Sequence, residues 1–535
     1  MFSFRRSLAL TAVVCAGLAA LPVQAKTFRW ANAGDVSSMD PYARQETFLL
    51  TFTQNIYDGL LRRDRNLKLE PALAIKWGQV DKNTWFFDIR PNVKFTDGTT
   101  LTADDVVFSL NRANGPGSNM GSNFASVKEI KKAGDMRVEI TTKYPDPLLA
   151  DKLAALGIMS KAWAEKNNAV NSADMTKNEE NYATRNAMGT GPFMLKERKA
   201  CERTVLVPNP NWWDKPTHNL TEVIFTPVAN PATRVAALKA GDIDMMYEVP
   251  PADTESLKKD ANINVIEGPE TRVVYLGMDQ ERDELVESNV KGKNPFKDKR
   301  VREAIHRSID VEAIKRTVMR GQSFPTDLMV APGINGYTKE LDKRAPLLKP
   351  DEAKKLLADA GYPNGFEVGM DCPNDRYVND EKICQAVVSM LAKIGIKVNL
   401  RAQTRNLYFA KILRRSDGKP GETSFYMLGW SPGQTYDVHN VFEALIQTPN
   451  AASKKGMFNA GGYSNPAVDK LADAMEQETD KAKRDDMIRQ ATKLYVDDYA
   501  YIPLHQQAVV WAARKNVDLF QPADNYFPLR FVTVK

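Results

Sequence analysis

The run EKICQAVVSMLAKIGIKVNL, residues 381–400, limits the possible folds more than any other stretch. Ile383, Val387, Leu391 and Ile394 recur at helical spacing, Gly395 stops the helix, and IKVNL follows as a strand. The same order recurs in NPATRVAALKAGDID (230–244), where Asn230 is a fitting N-cap, Pro231 the first helical residue and Gly241 the stop; IDMMYEV then reads as a strand. KPDEAKKLLADAGYPNGFEVGM (349–370) repeats it. Helices and strands alternating through short connections define an α/β architecture. A different pattern occupies residues 66–115: KNTWFFDIRPNVKF is strand-like with a turn, and LTADDVVFSLNRA opens a helix with Thr102 and Asp105 as a capping box. A chain of 535 residues needs two or three domains. No repeat or long linker separates them, so they are packed together or interleaved.

The first 25 residues place Arg5 and Arg6 before an apolar run from Leu8 to Leu21 and end in Val23-Gln24-Ala25, the pattern of a secretory signal peptide cleaved after Ala25. Val14 before Cys15 does not suit a lipoprotein signal, and no later run approaches the roughly 20 apolar residues of a spanning helix. The remaining chain carries 71 basic and 67 acidic residues without a basic block, so neither nucleic acid nor an anionic membrane is implied. Cys372 and Cys384 either pair in an oxidising compartment or stay as two buried thiols, and Cys201 reads as a core residue.

Catalytic patterns are missing. The four histidines form no metal-ligand spacing, and His306, in DKRVREAIHRSID, reads as part of a solvated helix face. There is no nucleophile elbow or P-loop, and GPGSNMG (115–121) fails as a dinucleotide fingerprint because it follows a helix and its third glycine comes late. Asp104-Asp105 and Asp485-Asp486 read as solvated pairs rather than glycosidase acids. An exported hydrolase built on Asp437 and His439 would lack a nucleophile and oxyanion donors. The balance points to binding, with no cofactor and no metal.

Several motifs then align with one family. NIYDGLLRRD (55–64), LEPALAIKWGQVDKNTWFFDIRPNVKFTDGTTLTADDVVFSLNR (69–112), MGTGPF (188–193), PNPNWWDKP (208–216), ATRVAALKAGDIDMM (232–246), NPFKDKRVREAIHRSID (294–310), GGYSNPAVDKLADAM (461–475) and YIPLH (501–505) resemble, in order, the family 5 extracellular solute-binding proteins, the dipeptide, oligopeptide and nickel receptors of ABC importers. The resemblance implies a two-lobed α/β periplasmic binding protein of type II, cluster C. Lobe I would comprise 26–60, 181–275 and 506–535, with an inserted subdomain at 61–180, and lobe II would comprise 276–505. The hinge would lie near VVYLGMD and YIPLHQQ.

It further implies a monomeric receptor in the periplasm of a Gram-negative bacterium that hands a small peptide to an inner-membrane ABC permease and its ATPases. An opine, an oligosaccharide or a nickel chelate is the alternative cargo. Dipeptide-carrying members hold the ligand carboxylate on an Arg and its α-ammonium on an Asp. Arg376, in DCPNDRYVND, matches the Arg. The Asp position, three residues after the Trp of the GW motif, is Gly433 here, and the nearest acid is Asp437. In the same loop Trp430 would offer a flat face, Tyr436 a face with a hydroxyl, and His439 an adjustable donor or acceptor. Tyr247, Arg44 and Glu46 are the expected contacts from the opposite lobe.

Overall fold

The computed structural model describes residues 26–535 apart from 178, 375 and 415–417, so the expected leader lies outside the described residues. An 11-stranded sheet runs through the molecule, and two long antiparallel strands, Ile263–Met278 and Ile502–Arg514, form its middle. On one side of them lie Met245–Met246, Thr27–Asn32, Glu222–Pro227, Arg203–Pro208 and Phe193–Lys199. On the other lie Phe425–Trp430, Phe366–Pro373 and Ile396–Gln403. Two lobes therefore share one pair of strands.

The central strands are buried over residues 270–278 and 502–513, and are largely apolar where both faces are covered. Side chains alternate between faces with a period of two. In the second lobe Val274, Leu276, Phe425 and Met427 point into a core with Phe296, Val387 and Leu391. Their neighbours Tyr275, Tyr426 and Leu428 point into another with Phe442, Ile488 and Tyr495. In the first lobe Val509, Trp511 and Ala513 join Phe28, Trp30 and Phe225, while Val510 and Ala512 face Leu238 and Leu257.

The segment before residue 180 carries a separate four-stranded antiparallel sheet: Ala74–Asp81, Thr84–Ile89, Arg137–Thr142 and Val127–Gly134. Its Phe87, Ile89, Val138 and Ile140 belong to the same continuous core as Trp30, so it has no apolar interior of its own.

Local signals act as their chemistry requires. Asn230 accepts from the Thr233 amide at 3.0 Å, and Gly241 ends the helix Pro231–Ala240 at φ 85°, where a Cβ would be strained. Thr102 and Asp105 form a capping box on Ala103–Ala113. Asp105 departs from the solvated reading, because it is buried and also accepts from the Lys161 amide at 2.9 Å.

Two further expectations are corrected. Cys201 is exposed at the tip of the hairpin between Phe193–Lys199 and Arg203–Pro208, with φ 63°, because it sits in a turn whose residues all face solvent. His306 is buried, its Nε2 2.7 Å from Asp327 Oδ1 and its ring against Tyr499. It ends the inner face of Lys299–His306, which also carries Val301 and Ile305.

Candidate functional site

The two long strands do not pair evenly. Pro269 pairs with Ala508 and Val273 with Gln506, so Glu270, Thr271 and Arg272 are set against Gln507 alone. This bulge lies where pairing passes from one lobe to the other, and it brings charge into an apolar strand pair. Arg272 Nε donates to Glu270 Oε1 at 3.2 Å, and Gln507 Nε2 donates to Glu270 Oε2 at 2.8 Å. Gln507 also accepts from the Val378 amide at 3.5 Å, which ties the bulge to the loop after Phe366–Pro373.

Arg376 stands on that loop. Asp380 receives the amides of Arg376 and Tyr377 at 2.9 and 3.0 Å, fixing the backbone. The Tyr377 ring lies 5.0 Å from the guanidinium, and the Tyr377 hydroxyl reaches the Gly429 carbonyl at 3.3 Å. Asp371 is held by Lys411 at 2.7 Å. Among the described residues no hydrogen-bond acceptor or carboxylate partner meets the guanidinium of Arg376. Burial, followed by repulsion from Arg272, lowers its pKa from the ordinary arginine value. A disulfide joins Cys372 to Cys384 and closes the loop at its base.

Opposite stands Glu248, which sequence reasoning missed. It follows Met245–Met246, adopts φ 60°, and its side chain is reached by solvent while protein surrounds it. Asn525 Nδ2 donates to Glu248 Oε1 at 3.4 Å. Burial and the nearby Glu270 push its carboxyl above the usual range, against an opposing pull from Arg376.

The remaining expected residues divide. Asp437 is not free to meet an ammonium: Arg484 grips both its oxygens at 2.8 Å, and the His439 amide and Asn335 Nδ2 add bonds at 2.8 and 2.5 Å. Burial alone would raise its carboxyl; Arg484 reverses this and holds it below the ordinary value. Asp437 is therefore internal to its lobe, a correction whose physical reason is the arginine on the helix Lys481–Asp497. His439 is buried beside it, with its pKa lowered by burial. Tyr247 is also interior: its hydroxyl donates to the Asn525 carbonyl and its ring packs on Trp511 and Trp30. Glu46 caps Thr47–Thr53, and with Arg44 it lines a surface recess beside Asn119 and Met175 that shares no residue with the bulge cluster.

Trp430 and Tyr436 lie along the gap between lobes. Trp430 is half-buried, donates to Asn440 at 3.0 Å and packs against Phe458. Tyr436, at φ 50°, donates to Asp524 Oδ2 at 2.6 Å, and Arg63 lies 4.4 Å from its ring centre. Thr271 and Ser431 hydroxyls meet at 2.8 Å, and Tyr144 donates to Glu476 at 3.0 Å. A cavity of about 110 Å³ opens beside Tyr436, bounded by Asp58, Arg62, Arg530 and Tyr526. There burial pushes Asp58 up to about 6.

Two lobes joined by a strand pair, with charged side chains gathered at the crossing, have the architecture of a solute receptor. The chain belongs to the bacterial extracellular solute-binding proteins, family 5, whose model matches residues 68–453. It is 27% identical over 527 residues to the glutathione-binding protein GsiB of Shigella dysenteriae, covering 96% of each chain, and 27% identical over 524 residues to GsiB of Escherichia coli K12, again covering 96% of each.

The fold matches the periplasmic binding protein DppA of Helicobacter pylori in complex with the peptide STSA, with a TM-score of 0.76, 24% identity and coverage of 95% and 98%. It also matches CtaP of Listeria monocytogenes, with a TM-score of 0.81, 20% identity and coverage of 95% and 99%. Chains of this family are not enzymes; they bind a small solute and deliver it to an ABC permease. No helix among the described residues is long and apolar enough to cross a membrane.

Proposed function

We propose that this chain is the periplasmic, monomeric receptor of an ABC importer and captures a small peptide between its lobes, holding the peptide's carboxylate on Arg376. The observation that carries this reading is a guanidinium kept at the lobe crossing without an acceptor among the described residues. Arg376 is half-buried, a cation in such surroundings is costly until it is paired, and a carboxylate meets its fork of donors in two parallel bonds. GsiB, named for glutathione, and DppA, solved with a peptide, support the cargo class.

The bulge at Glu270–Arg272 and Gln507 is the hinge in this reading. It separates a first lobe of 26–60, 181–275 and 506–535, extended by the subdomain 61–180, from a second lobe of 276–505. Cargo bridging the lobes favours the closed form by differential contact. Arg376→Ala is expected to cost about 2 to 5 kcal/mol, or roughly 30-fold to several thousand-fold in affinity. Calorimetry with short free peptides checks this, and a change under about threefold removes Arg376 from the site.

The pairing of Asp437 with Arg484 on the loop after Trp430 favours one second reading: a carboxylate-bearing cargo without a primary ammonium, of the opine kind.

A further inference from the structure

We infer that Glu248, on the lobe opposite Arg376, receives the cargo's ammonium, so that the solute is gripped by two opposite charges from two lobes. This rests on the peptide reading above and goes beyond it by naming the second anchor.

The acids near the crossing are almost all engaged. Asp437 is held by Arg484, Asp371 by Lys411, and Glu270 by Arg272 and Gln507. Asp380 binds the backbone of its own loop, and Asp524 takes the Tyr436 hydroxyl and the Tyr526 amide. Glu248 differs from all of these. Among the described residues its side chain accepts only the long bond from Asn525, and solvent reaches it.

The backbone there is held in place. Glu248 sits at φ 60°, a conformation unfavourable for a residue with a Cβ, and persists because both neighbours are tied. The Tyr247 hydroxyl is bonded to the Asn525 carbonyl, and the Val249 amide to the Val510 carbonyl at 2.8 Å. Asn525 is itself at φ 61°, and its Oδ1 accepts from Trp511 Nε1 at 3.1 Å. Two left-handed residues from distant segments thus meet at one point, and the backbone that carries the Glu248 carboxylate is set before any solute arrives.

Charge closes the argument. Arg272 and Glu270 neutralise each other through a direct bond, whereas Glu248 and Arg376 are near enough to feel each other's charge but share no hydrogen bond. A solute with a free ammonium and a free carboxylate satisfies both and leaves the cluster neutral. A solute lacking the ammonium leaves Glu248 unpaired, which is how such a site discriminates.

The test is calorimetry of the wild-type protein, Glu248→Gln and Arg376→Gln with di-, tri- and tetra-alanine, each with a free and an acetylated N-terminus. The inference predicts that the wild type prefers the free form of its best length by roughly 30-fold or more, and that Glu248→Gln erases this preference by weakening the free peptide alone. Arg376→Gln weakens both forms. Equal wild-type affinity for free and acetylated peptide, or Glu248→Gln with unchanged affinity for the free one, overturns the inference while the peptide reading stands. A wild type that binds no peptide of the panel overturns the peptide reading and the inference with it. Should Glu248→Gln fail to fold, the free-against-acetylated ratio of the wild type still decides.

Discussion

Asp437 and Glu248 are both acids beside the crossing, and their surroundings give them opposite work. Asp437 is held by a two-pronged guanidinium, an amide and a side-chain amide, all within its own lobe. Removing one partner of such a pair leaves the other charge buried and unpaired. Asp437→Ala is therefore expected to lose about 3–5 kcal/mol of stability, read as a lowered midpoint in urea. A variant as stable as the wild type would contradict a structural role. The sequence showed the acid but not its partner, because Arg484 lies 47 residues away on a helix that reads as charged and solvated. The place of Arg376, on the loop after the strand Phe366–Pro373, was legible because a motif carries it. Glu248 was not, since a glutamate after a strand resembles any surface acid until Asn525 is brought beside it from the C-terminal return.

At the level of elements, the alternation in IKVNL and the Gly395 stop are realised as Asp380–Ala392 followed by Ile396–Gln403, because local spacing alone decides which side chains can share a face. IDMMYEV gives only the short strand Met245–Met246 before the backbone turns at Glu248, a limit set by its neighbours rather than by its composition. The bulge at Glu270–Arg272 is invisible in the sequence for the same reason: a bulge exists only relative to the strand it pairs with. The loop Gly433–Tyr436 reaches across the gap through the Tyr436 hydroxyl on Asp524, a contact that requires the lobes to be together. Tyr436→Phe removes a hydrogen bond to a charged group, so cargo release is expected to quicken by roughly tenfold with little change in capture rate. Stopped-flow fluorescence checks this, and an unchanged release rate would show that the contact does not hold the lobes.

At the scale of the whole molecule, a single sheet passes through both lobes, and its central strand pair is interrupted at Glu270–Arg272, the hinge proposed above. Alternating helices and strands without linkers implied domains packed together or interleaved, but not that the segment before residue 180 would share its core with Trp30. The account as a whole says that the chain encloses a small peptide with both ends free and gives it up unchanged. Native mass spectrometry of protein purified without denaturation tests this most directly. The account predicts complexes heavier by the mass of short free-ended peptides, which are recovered intact when the protein is unfolded. A bound species without an amine, or a ligand recovered as cleavage products, would contradict it.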